Sequence, residues 1–168
     1  MKELLPGDIL VFKGGGLVFE ILSRILKLFA WDWDRWGWHT GFVVCGNQLC
    51  ESIACGICLS PLSKYKVENT RVYRWLDTPP TNEKINTFLG SHLGKRYDVA
   101  IYLWSGLQYL FRHFWNRRIP RLLDDRFTCW ENVSEFCDDM GKPVMSRYDC
   151  PMLPDMLKQL EAHRIIPT

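Results

Sequence analysis

Residues 126–131 read Arg-Phe-Thr-Cys-Trp-Glu and place a cysteine where a helix should begin. Thr128 and Glu131 have the spacing of a capping box, with Thr as the N-cap and Glu at the third helical position. Cys129 then occupies the first helical position. Unsatisfied backbone N–H groups and the positive end of the helix dipole favour a thiolate there, and the same groups can stabilise a developing oxyanion. Val133, Phe136 and Met140 follow Cys129 at i+4, i+7 and i+11, so the thiol falls on the buried stripe of the helix. The alternative is a small cysteine that merely packs. A matching base elsewhere separates the two readings.

His39 is the candidate base. It stands at the start of an apolar run, Thr40 to Val44, that reads as a strand. A second run, Gln48 to Ala54, carries Glu51 among apolar neighbours, and a carboxylate buried there needs a partner. Gly46-Asn47 between the runs signals a hairpin. With a three-residue loop, Gly41 faces Glu51, and His39 and Glu51 are diagonal neighbours on one face. With a two-residue loop they lie on opposite faces, Glu51 turns to solvent and His39 is an ordinary strand-end histidine. The spacing leaves both registers open.

The remaining elements are those that must hold these groups. Pro6-Gly7-Asp8 is a turn ahead of a short strand, Ile9 to Phe12, and Gly14-Gly15-Gly16 breaks it. Leu17 to Ala30 has helical period, with Val18, Leu22, Ile25, Leu26 and Phe29 on one face. Val67 to Trp75 contains another strand, with Thr70 to Trp75 the favoured span. After Pro79-Pro80 a helix is predicted from Ile85, Phe88, Leu89 and Leu93, stopped by Gly94. Ile101 to Trp115 is apolar and aromatic with helical character. Thr128 to Met140 is the best-marked helix, ended by Gly141 and Pro143, and Leu153 to His163 is a further short one. Helices and an antiparallel hairpin in separate runs predict an α+β fold in a single domain over 1–168.

Taken in order, these parts resemble the NlpC-type papain-like amidases in the permuted arrangement of the YiiX/YaeF group. The usual NlpC order is a Leu-Gly-x-x-Tyr segment, a helix-borne Cys, a His in a strand, and a polar residue twelve positions later. Here His39 comes first, with the twelve-residue step to Glu51; Leu93-Gly94-Lys95-Arg96-Tyr97 follows, and Cys129 comes last. Pro6-Gly7-Asp8-Ile9-Leu10 is similar to the family's opening strand. Cys129-x-Glu131-x-Val133 is similar to the Cys-Ser-Glu-Leu-Val of the permuted group, with Trp130 and Asn132 as departures. The resemblance covers roughly residues 4 to 140. It implies a circularly permuted papain-like fold, an antiparallel sheet packed against the helix that carries the nucleophile. Cys129 would attack a carbonyl, His39 would take and return the proton, and Glu51 would orient the imidazole. Tyr97 matches a family tyrosine near the thiol and would donate to the oxyanion; the alternative is a core tyrosine after a helix stop. Segments 17–38 and 101–125 have no counterpart in the pattern and read as insertions; their apolar parts, Leu17–Ala30 and Ile101–Trp115, would wall the cleft, the alternative being that they pack only on each other.

Composition narrows the field. Hydrophobic residues make up 47% of the 168, enough for a core, and 21 basic against 19 acidic residues give no argument for a nucleic-acid or membrane partner. No stretch reaches the ~18 uninterrupted apolar residues of a membrane span. The start lacks a basic region followed by an apolar run, so no secretory signal is expected, and seven cysteines suit free thiols in a cytoplasmic, reducing setting. Cys50, Cys55 and Cys58 have a C-x4-C-x2-C spacing suggestive of a metal, but a fourth ligand would have to come from far away, so neither a metal nor a cofactor is expected. Cys45, Cys137 and Cys150 read as packing residues, and His92, His113 and His163 as surface or filler.

Three functions are open at this point. The first is hydrolysis of an amide or peptide bond in a small peptide or amide substrate, through an acyl-Cys129 intermediate. The second is lipid or thioester acyl hydrolysis or transfer on the same triad. Lecithin:retinol acyltransferase-like proteins share the His-first order, but their Asn-Cys-Glu-His motif differs from Thr128-Cys129-Trp130-Glu131. The third is a non-catalytic binding module, against which the intact Cys, His and Glu set argues.

Overall fold

A computed structural model describes residues 3–13, 36–45, 47–97, 127–144 and 153–168. Strand β1 (Ile9–Lys13) is apolar over its first four residues because it is covered on both faces. It runs between β2 (Trp36–Val44) and β5 (Thr70–Trp75), antiparallel to each. Strand β3 (Gln48–Ile53) pairs with β2, β4 (Gly56–Pro61) with β3, and the short β6 (Ile165–Pro167) with β5. The sheet order is β4-β3-β2-β1-β5-β6, antiparallel throughout.

Strand alternation sorts the sheet into two apolar faces. Ile9, Val11, Phe42 and Val44 point to one face, which three helices cover: α1 (Asn82–His92), α2 (Cys129–Asp139) and α3 (Leu153–Ala162). Phe136 of α2 stacks on Phe42 with ring centroids 3.8 Å apart, and Phe88 of α1 meets both rings edge-on. Leu10, Phe12, Val43 and Leu49 point to the other face, where Leu4, Leu62, Tyr65 and Val72 pack on them. The expected α+β class is therefore observed.

Several boundaries move. The strand expected from Thr40 begins at Trp36, so the last three residues of the expected 17–38 insertion belong to β2. Strands β4 and β6 were not legible: β4 mixes apolar and polar residues in Gly-Ile-Cys-Leu-Ser-Pro, and β6 is only three residues long. Leu93 is not on the buried stripe of α1. It caps the helix and is 44% exposed, and His92 takes the fourth buried position, stacked on Phe88. Cys45 is exposed in the β2–β3 turn rather than packed. The Gly14-Gly15-Gly16 break, the Leu17–Ala30 and Ile101–Trp115 helices, His113 and Cys150 lie outside the described residues. Among those described, no helix is long and apolar enough to cross a membrane.

A strap joins the β4 end of the sheet to the start of α2. The Ile57 amide donates to the Lys95 carbonyl (2.8 Å), and the Gly94 amide donates back to Ile57 (2.9 Å). Phe127 then bonds to the Arg96 carbonyl (2.8 Å), Tyr97 bridges Phe127 in parallel, and Ser52 Oγ donates to the Phe127 carbonyl (2.7 Å). These contacts fix where α2 begins.

Candidate active site

The β2–β3 register decides between the two hairpin readings. Gly41 pairs with Glu51 and Val44 with Gln48, so the connection is the three-residue one, 45–47. Asn47 takes the left-handed conformation (φ 60°) that such a turn asks for and that asparagine tolerates. Gly41 is required at its position: a Cβ there would lie 2.6 Å from the Cys50 carbonyl oxygen. His39 is thus the diagonal neighbour of Glu51, and its Nε2 bonds directly to the Glu51 carboxylate.

Glu51 is fully buried, and four side chains make its charge tolerable. Besides His39, the Tyr65 hydroxyl donates to the same carboxylate oxygen, Lys64 Nζ lies 3.0 Å from the other, and Ser60 donates as well. Burial pushes the carboxyl group up, but the bonds from His39, Ser60 and Tyr65 outweigh it and bring Glu51 down to about 2. Tyr65 moves the opposite way, raised by burial and by the adjacent carboxylate. Its ring stacks on Phe12 at 4.1 Å, and Phe12 stacks in turn on His39 at 5.6 Å. The imidazole is thus held by a carboxylate on one nitrogen and by aromatic faces around it.

Cys129 is the first residue of α2. Thr128 is the N-cap; its Oγ1 accepts from the Glu131 amide (3.3 Å), and Glu131 accepts from the Thr128 amide (2.8 Å), closing the expected capping box. The thiol is 1% exposed and belongs to the core on the helix side, whereas His39 stacks with the opposite face. The thiol nonetheless acts on the imidazole, favouring its protonated form. Burial opposes a charge on His39, yet the bonds to Cys129 and then Glu51 prevail and raise it from 6.5 to about 9.

The structure therefore brings Cys129, His39 and Glu51 into one chain of contacts. Tyr97 is half-buried, with its backbone beside Phe127, two residues ahead of Cys129. Sequence reasoning missed Tyr65, Lys64 and Ser60. Ser60 could have been found from a β4 pairing, but Lys64 and Tyr65 sit on and just after a 3-10 turn (Leu62–Lys64) that no periodicity marks. The three cysteines of the C-x4-C-x2-C spacing do not converge. Cys50 lies in the helix-side core, takes a bond from Asn132 Nδ2 (3.8 Å), and is pushed by burial up to about 12. Among the described residues no group of His, Cys, Asp and Glu is arranged to hold a metal ion.

A thiol at a helix N-terminus, coupled to an imidazole that is bonded to a carboxylate, has the parts needed for nucleophilic acyl transfer. In comparisons with known proteins, the chain matches no family model and no curated sequence.

Proposed function

We propose that the protein is a cysteine hydrolase that cleaves an amide or peptide bond, on a permuted papain-like arrangement in which the His-bearing strand precedes the Cys-bearing helix. The observation that carries this reading is the relay itself: Glu51 bonded to the His39 ring and Cys129 acting on the same ring from the start of a capped helix. A packing cysteine needs neither an imidazole nor a buried carboxylate behind it, and the structure commits four donors to keeping that carboxylate ionised.

The raised His39 alters the role expected from sequence. Near neutral pH the imidazole already carries its proton, so the ground state is an imidazolium beside the sulfur. Its first task is then to act as an acid. The proton on His39 is the one given up by the Cys129 thiol; the sulfur attacks the carbonyl carbon, the first-turn amides of α2 and the Tyr97 hydroxyl donate to the oxyanion, and His39 gives that proton to the leaving amine as the C–N bond breaks. Neutral His39 next takes a proton from water. The resulting hydroxide attacks the thioester, the carboxylic acid leaves, and Cys129 and His39 return to their starting state. Glu51 holds the ring and its charge throughout without changing protonation.

Covalent capture tests this reading. The full-length protein is incubated with a panel of peptide, amide and acyl substrates, quenched in acid, and analysed by mass spectrometry. An acyl adduct on Cys129, absent in His39→Ala, supports the proposal. Turnover without any adduct dependent on Cys129, or an adduct on another cysteine, contradicts it.

A further inference from the structure

The Cys-Gly-Ile-Cys segment at 55–58 has no part in the relay, and its geometry is specific. Ile53 and Gly56 close the β3–β4 hairpin, with Ala54 and Cys55 at its tip. Gly56 adopts φ +106°, and a Cβ there would lie 2.4 Å from the Lys95 carbonyl oxygen, so this position admits glycine alone. Ile57 is held through both its amide and its carbonyl by the 94–95 strap. The two cysteines are therefore carried by a pinned backbone, and their sulfurs lie 4.0 Å apart. Cys55 is exposed; Cys58 is half-buried and is the direct cross-strand partner of Glu51. Cys50 stands on the opposite face of the sheet, which leaves a pair of thiols rather than a metal cluster.

We propose that Cys55 and Cys58 form a redox-active dithiol that reacts with low-molecular-weight disulfides of the glutathione class and closes reversibly to an intramolecular disulfide. Cys55, the exposed sulfur, loses its proton to solvent and attacks one sulfur of the small disulfide, whose S–S bond breaks and releases one thiol. Cys58 then loses its proton and attacks the Cys55 sulfur, and the second small thiol leaves. Two protein thiols are oxidised and one small disulfide is reduced to two thiols. Cys58 suits the second role because burial, Cys55 and the Glu51 carboxylate all disfavour its thiolate; the mixed disulfide removes the Cys55 contribution and places a disulfide sulfur beside Cys58. Closing the bond shortens the sulfur separation by about 2 Å, within the reach of side-chain rotation on a fixed turn. The bridge spans only four residues, so it constrains the unfolded chain little. Being at an exposed tip, it remains open to reduction. This inference stands independently of the hydrolase reading.

The test equilibrates full-length protein in buffers of reduced and oxidised glutathione, quenches with acid, alkylates the remaining thiols, and maps every cysteine by peptide mass. The expected result is a Cys55–Cys58 disulfide that forms with rising oxidised fraction and reverts with excess reduced glutathione. Cys58→Ser and Cys58→Ala should accumulate glutathione on Cys55, and Cys55→Ser should leave Cys58 as a free thiol. Three results would overturn the proposal: wild-type Cys55 stopping as a mixed disulfide, Cys55 pairing with Cys45 or another chain, or both residues remaining thiols across the range.

Discussion

Replacing Glu51 with Gln separates the contributions that hold a proton on His39. The rise from 6.5 to about 9 corresponds to about 3 kcal/mol of preference for the imidazolium, at ~1.4 kcal/mol per pH unit. That preference comes from two partners acting against burial, Cys129 first and Glu51 second. Glu51→Gln removes one charge and keeps a hydrogen-bonding carbonyl, so His39 should titrate on the order of one pH unit lower. Cys129→Ala removes the stronger partner and should lower it further. With both changed, burial is opposed only by the neutral Gln carbonyl, and the ring should titrate lowest of all. The measurement is the pH titration of the histidine ring carbon–proton signals by NMR, with His39 assigned from a His39→Gln variant. The expected order is wild type highest, then Glu51→Gln, Cys129→Ala and the double variant. A wild-type His39 titrating at or below 6.5, or a Glu51→Gln protein with unchanged His39, would refute the relay.

The same two groups set a pH window for stability. His39, whose folded value is raised, contributes in full below 6.5 and loses its contribution as pH rises toward about 9. Glu51, whose folded value is lowered, contributes above about 4.5 and loses its contribution as pH falls toward about 2. The urea-unfolding difference between wild type and Glu51→Gln should therefore be largest between about 4.5 and 6.5 and shrink on both sides; a difference flat from pH 3 to 9 would contradict it. Tyr65→Phe keeps the stacking on Phe12 but removes a donor from the buried carboxylate, and should cost ~1.5–3 kcal/mol in denaturant titration. No loss would mean that Tyr65 does not hold Glu51. Gly41→Ala should destabilise by ~1–3 kcal/mol, because its methyl meets the Cys50 carbonyl, and should weaken turnover by shifting the β2–β3 register; wild-type stability and rate would count against that register.

The parts of this site that the sequence made legible are those with a local signature. Thr128 and Glu131 announce the helix start by spacing alone, and so locate Cys129. The strand within Val67 to Trp75 is marked by β-branched and aromatic residues, and the structure places it at Thr70–Trp75. The partnership of His39 and Glu51 was readable only as one of two registers, since a turn one residue shorter would have put them on opposite faces. The register that forms leaves no room for a side chain at Gly41, whose Cβ would meet the Cys50 carbonyl, and the spacing alone does not show this. Tyr65 and Lys64 were hidden for the same reason: they reach Glu51 by a chain reversal after β4, and nothing in their spacing encodes it. The burial of His92 in place of Leu93 reflects a helix that ends one residue earlier than its apolar pattern implies.

The central claim is that His39 activates Cys129, and the alkylation rate of Cys129 tests it most directly when His39 is cut away. Wild type and His39→Ala are treated with a small alkylator near neutral pH, and labelling of each cysteine is followed by peptide mass. Cys129 is 1% exposed, whereas Cys45 is exposed and Cys137 is buried and driven up by its surroundings. The account expects Cys129 to label faster than either in the wild type, and to slow when the imidazole is removed, although the truncation opens a path to the sulfur. If Cys129 labels no faster than Cys45 and Cys137, and its labelling speeds up in His39→Ala, the imidazole was only covering a packed thiol and the nucleophile assignment fails.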